Sequence, residues 1–126
     1  MIVRRLLQLN VLVSAIIAIT FILAPAPTLA LYGIIGDKSL YAIAQYFGTT
    51  HVAFLVLLWL ALRANDARFL RLIVVSFFAG DLAGSTVLLV AQLRGVMNTT
   101  GWALVGLTVL FAAGYGYGTL KKLPAS

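Results

Sequence analysis

Four long apolar runs dominate this chain, at residues 6–24, 40–62, 72–91 and 101–120. They are 19, 23, 20 and 20 residues long and together hold 82 of its 126 residues. A helix rising about 1.5 Å per residue needs roughly 20 residues to cross a hydrocarbon layer about 30 Å thick, so each run can span a bilayer. In lipid every backbone N–H and C=O must be paired within the protein, which a helix achieves within its own segment. The runs lack the alternation and the frequent turn signals of a transmembrane strand, and this argues against a barrel. The rest of the sequence offers little for water to solvate. Some 63% of residues are apolar and only 10% charged, against roughly 45–50% and 25% in soluble domains. The expected fold is a single all-α membrane domain, an antiparallel bundle of four transmembrane helices.

The basic residues are divided unequally between the two ends of those helices. Arg4 and Arg5 precede the first run, Arg63, Arg68 and Arg71 lie between the second and third, and Lys121 and Lys122 follow the fourth. Only Lys38 and Arg94 fall on the opposite side. Seven against two predicts cytoplasmic termini and a cytoplasmic middle loop. Trp102, Tyr32 and Tyr41 near the other ends and Trp59 near the basic end suit interfacial aromatic belts. The net charge of +6 therefore bears on orientation and anionic headgroups. No basic stretch carries the interleaved aromatics or motif of a nucleic-acid binder, so no nucleic-acid partner is expected.

Pro25 and Pro27 stop the first run, and residues 28–35 (TLALYGII) read as a short interfacial turn or helix. A second reading makes the first run a signal peptide, with Arg4 and Arg5 as its basic region and Thr28-Leu29-Ala30 as the cleavage site. Its 19 residues exceed the usual 7–15 of such a segment, so a retained span is expected. The short connections at 63–71 and 92–100 predict that consecutive spans lie side by side.

The few polar residues inside the runs carry the functional question. Asp81 is the tenth of twenty positions in the third run, and His51 the twelfth of twenty-three in the second. Neighbouring antiparallel spans would bring both to one depth, where a hydrogen-bonded or ionic pair is expected. That pair is either a structural clasp or a functional one that exchanges protons or contacts a substrate; in a third reading the two residues face different partners, including Asp81 meeting its counterpart across an oligomer interface. Phe47 and Gly48 flank His51 by helical phase, while Phe77 and Phe78 flank Asp81. This makes an apolar pocket with two polar tips, suited to a lipid or a quinone.

Two further polar layers are expected. Gln45 should lie level with Ser85, Thr86 and Thr20, and Gln8 and Asn10 level with Tyr115 and Tyr117. Thr49 and Thr50 can satisfy themselves on their own helix. Ser76, Gly80 and Gly84 form a strip of small residues beside Asp81, and Gly114 and Gly118 form another, both permitting close helix approach. The chain has no cysteine and one histidine, which excludes disulfides and thiol chemistry and leaves no histidine cluster. No metal site within one chain and no resident cofactor are expected.

With its Arg-Arg start, its four short-looped spans and YFGTTHVAFLVLLWLALR in the second of them, the chain resembles the small four-helix membrane proteins of the DoxX type. The resemblance covers architecture and carries no catalytic residue across. The location expected is a bacterial or archaeal cell membrane. Three functions compete. The first is a non-enzymatic structural or interaction subunit, packed against itself or larger subunits, with His51 and Asp81 fixing helix register. The second is an oligomeric proton-coupled carrier of a small solute in which Asp81 changes protonation. The third is an enzyme acting on a lipid or quinone, with His51 as acid/base and Asp81 orienting it.

Overall fold

The computed structural model describes residues 2–121, and all of its regular structure is helical. Five helices follow one another: α1 (Ile2–Leu23), α2 (Pro25–Leu31), α3 (Lys38–Arg63), α4 (Ala67–Leu93) and α5 (Gly101–Leu120). All but α2 are long and apolar enough to cross a membrane. The helices outrun the apolar segments because charge ends an apolar run without ending a helix. Thus Arg4 and Arg5 lie on α1, and Arg68 and Arg71 lie in the first turns of α4. The middle connection shrinks to residues 64–66. Two of the three acidic residues serve as helix caps: Asp37 Oδ1 accepts from Leu40 N–H at 3.0 Å and Asp66 Oδ1 from Arg68 N–H at 2.8 Å.

Pro25 sets the break after α1. It offers no N–H and its ring drives the preceding residue out of the helical region, and Ala24 accordingly adopts φ −141°. Proline is well suited to a first helical position, so α2 starts at Pro25, three residues before the expected interfacial segment. The Thr28 hydroxyl donates back to the carbonyls of Ala24 (2.6 Å) and Thr20 (3.0 Å). Gln45 on α3 donates to the Ile22 carbonyl at 2.9 Å. The kink is thereby supplied with donors that lipid could not provide.

α1 packs along α3 and α5 along α4, while α1 also meets α5. Contact between α3 and α4 is slight, although three residues join them. A short connection brings helices together at one end only. The buried core lies toward the basic end and contains Leu7 of α1, Leu58 and Ala61 of α3, Ile73, Val74 and Phe77 of α4, and Phe111 and Tyr115 of α5. There the Arg4 guanidinium donates to the Leu62 carbonyl at 2.9 Å, and Arg63 lies 4.3 Å over the Trp59 ring.

The glycines of α5 allow this closure. A Cβ on Gly118 would come within 2.9 Å of Val3 and 3.3 Å of Val74, and one on Gly116 within 2.8 Å of Phe78. Gly114 takes the Leu6 side chain. At the opposite end Asn98 ties the two halves together. Its N–H donates to the Tyr32 carbonyl at 2.8 Å and its side-chain amide to the Leu31 carbonyl at 3.0 Å. The Gln92 amide holds the Asn98 carbonyl at 3.0 Å. Gly33, at φ +75°, makes the turn that presents Tyr32 and has Asn98 close beside it.

Candidate functional site

Two stripes of side chains define the region where α3 and α4 separate. On α4 the stripe runs Ile73, Phe77, Gly80, Gly84, at the three- and four-residue steps that keep one helical face. Ile73 and Phe77 are buried in the core, yet nothing lies within 4 Å of where a Cβ would stand on Gly80 or Gly84. The corresponding stripe on α3 runs Ala61, Leu58, Phe54, His51, Phe47. Ala61 and Leu58 are buried, whereas Phe54 is 38% exposed and Phe47 46%. The two faces therefore meet at the basic end and stand apart beyond the Phe54–Phe77 ring contact, whose centroids are 5.4 Å apart.

His51 sits on this boundary, buried between ring edges at 4.7 Å (Phe47) and 5.1 Å (Phe54). Its Nδ1 lies 3.2 Å from the Phe47 carbonyl of its own helix, so a protonated Nδ1 donates there. Phe47, His51, Phe54, Phe77, Tyr115 and Phe111 form a continuous series of ring contacts from α3 through α4 to α5.

Asp81 lies one turn beyond Phe77. Its Oδ2 is buried and has no hydrogen-bond partner. On insertion scales a carboxylate at the centre of a span costs about 3 kcal/mol, and among the described residues no ion pair offsets it for Asp81. The Tyr115 hydroxyl is within electrostatic reach of Asp81. Tyr115 is fully buried, and its hydroxyl accepts a 2.8 Å hydrogen bond from the Asn10 side-chain amide. Asn10 in turn accepts from the Ser14 hydroxyl at 3.0 Å. A polar row thus crosses from α1 to α5.

Several sequence expectations are corrected by this geometry. Among the described residues no hydrogen bond joins His51 to Asp81, because α3 and α4 each pack along a different helix. Equal depth therefore does not become contact. Gly48 leaves no space beside the imidazole. It faces α1, where an added Cβ would sit 3.0 Å from Phe21 Cβ and Ile22 Cγ1.

Gln45 and Ser85 do not share a polar layer. Gln45 caps the end of α1, and the Ser85 hydroxyl donates to the Asp81 backbone carbonyl at 2.5 Å. Thr20 and Thr86 likewise donate to carbonyls of their own helices. Phe78 turns away to cover Gly116 on α5. Of the expected pocket, Phe47 and His51 from α3 and Phe77 from α4 share the series of ring contacts, while Asp81 has its Oδ2 shielded inside. In the second layer Asn10 and Tyr115 do meet, while Gln8 and Tyr117 are exposed.

Phe54 and Ser14 escaped the sequence reading. Helical phase from His51 would have found Phe54, and the i+4 spacing from Asn10 would have found Ser14. A separate groove of about 300 Å³ lies between Ala15, Ala18 and Ile22 of α1 and Val52 and Leu55 of α3, and its lining is wholly aliphatic. Comparison of the chain with protein-family models, with curated proteins and with solved structures yields no match.

Proposed function

We propose that this chain is an integral membrane protein of a bacterial or archaeal cell membrane that acts as an interaction subunit, binding another membrane-embedded molecule at the gap between α3 and α4. The observation that carries this reading is a pair of open glycines, Gly80 and Gly84, beside a carboxylate whose Oδ2 has no partner. Lipid supplies no driving force for helix association beyond packing and polar contacts. A glycine strip facing nothing and an unsatisfied carboxylate are therefore the two features that a partner would improve most. The helices run antiparallel with both termini cytoplasmic. Support comes from Arg4 at the start of α1 reaching Leu62 at the end of α3, from Gln45 near the start of α3 reaching Ile22 near the end of α1, and from the seven-to-two division of basic residues.

The test is native mass spectrometry of the chain carried in lipid nanodiscs drawn directly from the producing membrane. The expected result is a mass larger than one chain for the wild type and a single-chain mass for Gly84→Leu, whose added side chain fills the strip. A single chain in both samples would contradict the reading. The proton-coupled carrier is kept as a second reading because the Ser14–Asn10–Tyr115 row brings its Tyr115 end within electrostatic reach of Asp81. It requires uptake in proteoliposomes that Asp81→Asn abolishes.

A further inference from the structure

The aliphatic groove between α1 and α3 runs on toward a basic end. Val52 and Leu55 line the groove, and steps of three and four residues carry the same face of α3 on to Trp59 and Arg63. On α1 the same steps lead from Ile19 and Ala15 back through Leu12 and Gln8 to Arg4. Both faces are open, with Leu12, Ile19, Val52 and Trp59 all exposed. The Arg4 guanidinium crosses to the Leu62 carbonyl at 2.9 Å, and Arg63 lies 4.3 Å over the Trp59 ring. Both cations therefore stand at the last turns of α3.

Among the described residues neither guanidinium pairs with a carboxylate. Of the three acidic residues, Asp37 caps the far end of α3, Asp66 turns its Oδ1 to the Arg68 N–H, and Asp81 lies within the span of α4. Arg4 uses one N–H on Leu62, and a guanidinium carries five. Two positive groups with unfilled donors thus stand where headgroups lie, in line with a groove whose lining is wholly aliphatic.

We propose that this seam binds an anionic phospholipid, its phosphate held between Arg4 and Arg63 and one acyl chain laid along α1 and α3 into the groove. The site goes beyond the interaction reading and does not depend on it, since His51 and Phe54 occupy another face of α3. The lengths agree. Leu55 stands about 12 Å along the helix from Arg63, and Ala15 about 16 Å from Arg4. One leaflet holds about 15 Å of hydrocarbon, so a chain hanging from a headgroup at the two arginines ends among the groove residues. A guanidinium matches phosphate oxygens with paired donors, and the Trp59 ring suits the interface between headgroup and chain. A zwitterionic lipid brings its own cation to the two arginines, whereas an anionic lipid brings negative charge alone. Each arginine near the surface favours the anionic lipid about fivefold.

The test uses the full chain carrying Trp102→Phe, which leaves Trp59 as its one tryptophan, in phosphatidylcholine nanodiscs. Phosphatidylglycerol or phosphatidylcholine with brominated acyl chains is included at increasing mole fraction, and quenching of Trp59 is read. The brominated phosphatidylglycerol is expected to reach half-quenching at a mole fraction at least about fivefold lower than the brominated phosphatidylcholine. Arg4→Gln combined with Arg63→Gln, at unchanged helical circular dichroism, removes that preference. Arg63→Gln alone, which keeps the Arg4–Leu62 bond, lowers it. Ala15→Phe lowers it by filling the groove, and Arg71→Gln on α4 leaves it in place. Equal quenching by the two lipids would overturn the proposal. So would a preference that Arg71→Gln reduces as far as the paired substitution, which marks diffuse surface charge, or one that Ala15→Phe leaves intact, which gives the acyl chain no seat. Loss of the preference on addition of inorganic phosphate would reassign the two arginines to a soluble anion.

Discussion

Two groups of glycines, each holding a pair four residues apart, have opposite surroundings in this molecule. On α5, Gly114, Gly116 and Gly118 receive Leu6, Phe78, and Val3 with Val74, so three helices close around them. On α4, Gly80 and Gly84 receive nothing, although the same helix is buried one turn earlier. Small residues at four-residue spacing permit close approach without stating whether the approaching helix belongs to the same chain. The contrast also runs through the acidic residues. Asp37 and Asp66 are satisfied at helix starts, whereas Asp81, beside the open row, is not. The filled row closes the bundle, and the empty one is the face that we propose another molecule covers.

The contrast is most exposed to a pair of matched substitutions. Gly118→Leu forces its side chain into Val3 and Val74 and should destabilise the purified chain by about 1–3 kcal/mol, measured by helicity loss on titration with sodium dodecyl sulfate. Gly84→Leu in the same assay should stay within about 0.5 kcal/mol of wild type. Equal losses would erase the distinction between the rows. Next in size, Tyr115→Phe removes the acceptor of the Asn10 amide inside the closed half and should cost about 1 kcal/mol in that titration.

Asp37→Ala should cost about 0.5–1 kcal/mol through the lost cap, while Asp81→Asn should cost the isolated chain less than that, since no partner is broken. The smallest effect concerns His51 and Asp81 together. In a double-mutant cycle of His51→Phe and Asp81→Asn the two changes should add within about 0.5 kcal/mol. A coupling clearly above that would mean that the two side chains meet.

Much of this was legible from residue order. The length of each apolar run, the stop at Pro25 and the glycines of α5 follow from bilayer thickness, missing donors and missing side chains, all of which are local. Asn10 and Tyr115 were placed in one layer because both lie a similar distance from the basic end. Helix partners were harder to read. A helix surrounded by lipid can be apolar on every side, so the run itself does not reveal which face is inward.

The middle connection suggested that α3 and α4 lie together, but three residues constrain only the ends they join. His51 and Asp81 were paired on depth, and depth leaves helix rotation and helix neighbours undetermined. Gly48 shows the same limit. Its place beside His51 was evident, while the neighbour it admits, α1, was not.

The most direct test of the empty row uses the absence of native cysteine. Gly84→Cys and Gly116→Cys are each treated with a lipid-soluble maleimide, once as the purified chain in nanodiscs and once in the producing membrane. A docking face at α4 predicts that Cys at 84 reacts in the purified chain and is protected in the native membrane, while Cys at 116 is protected in both. Reaction at 84 in both settings would contradict the account, because the row would then face lipid wherever the protein is found.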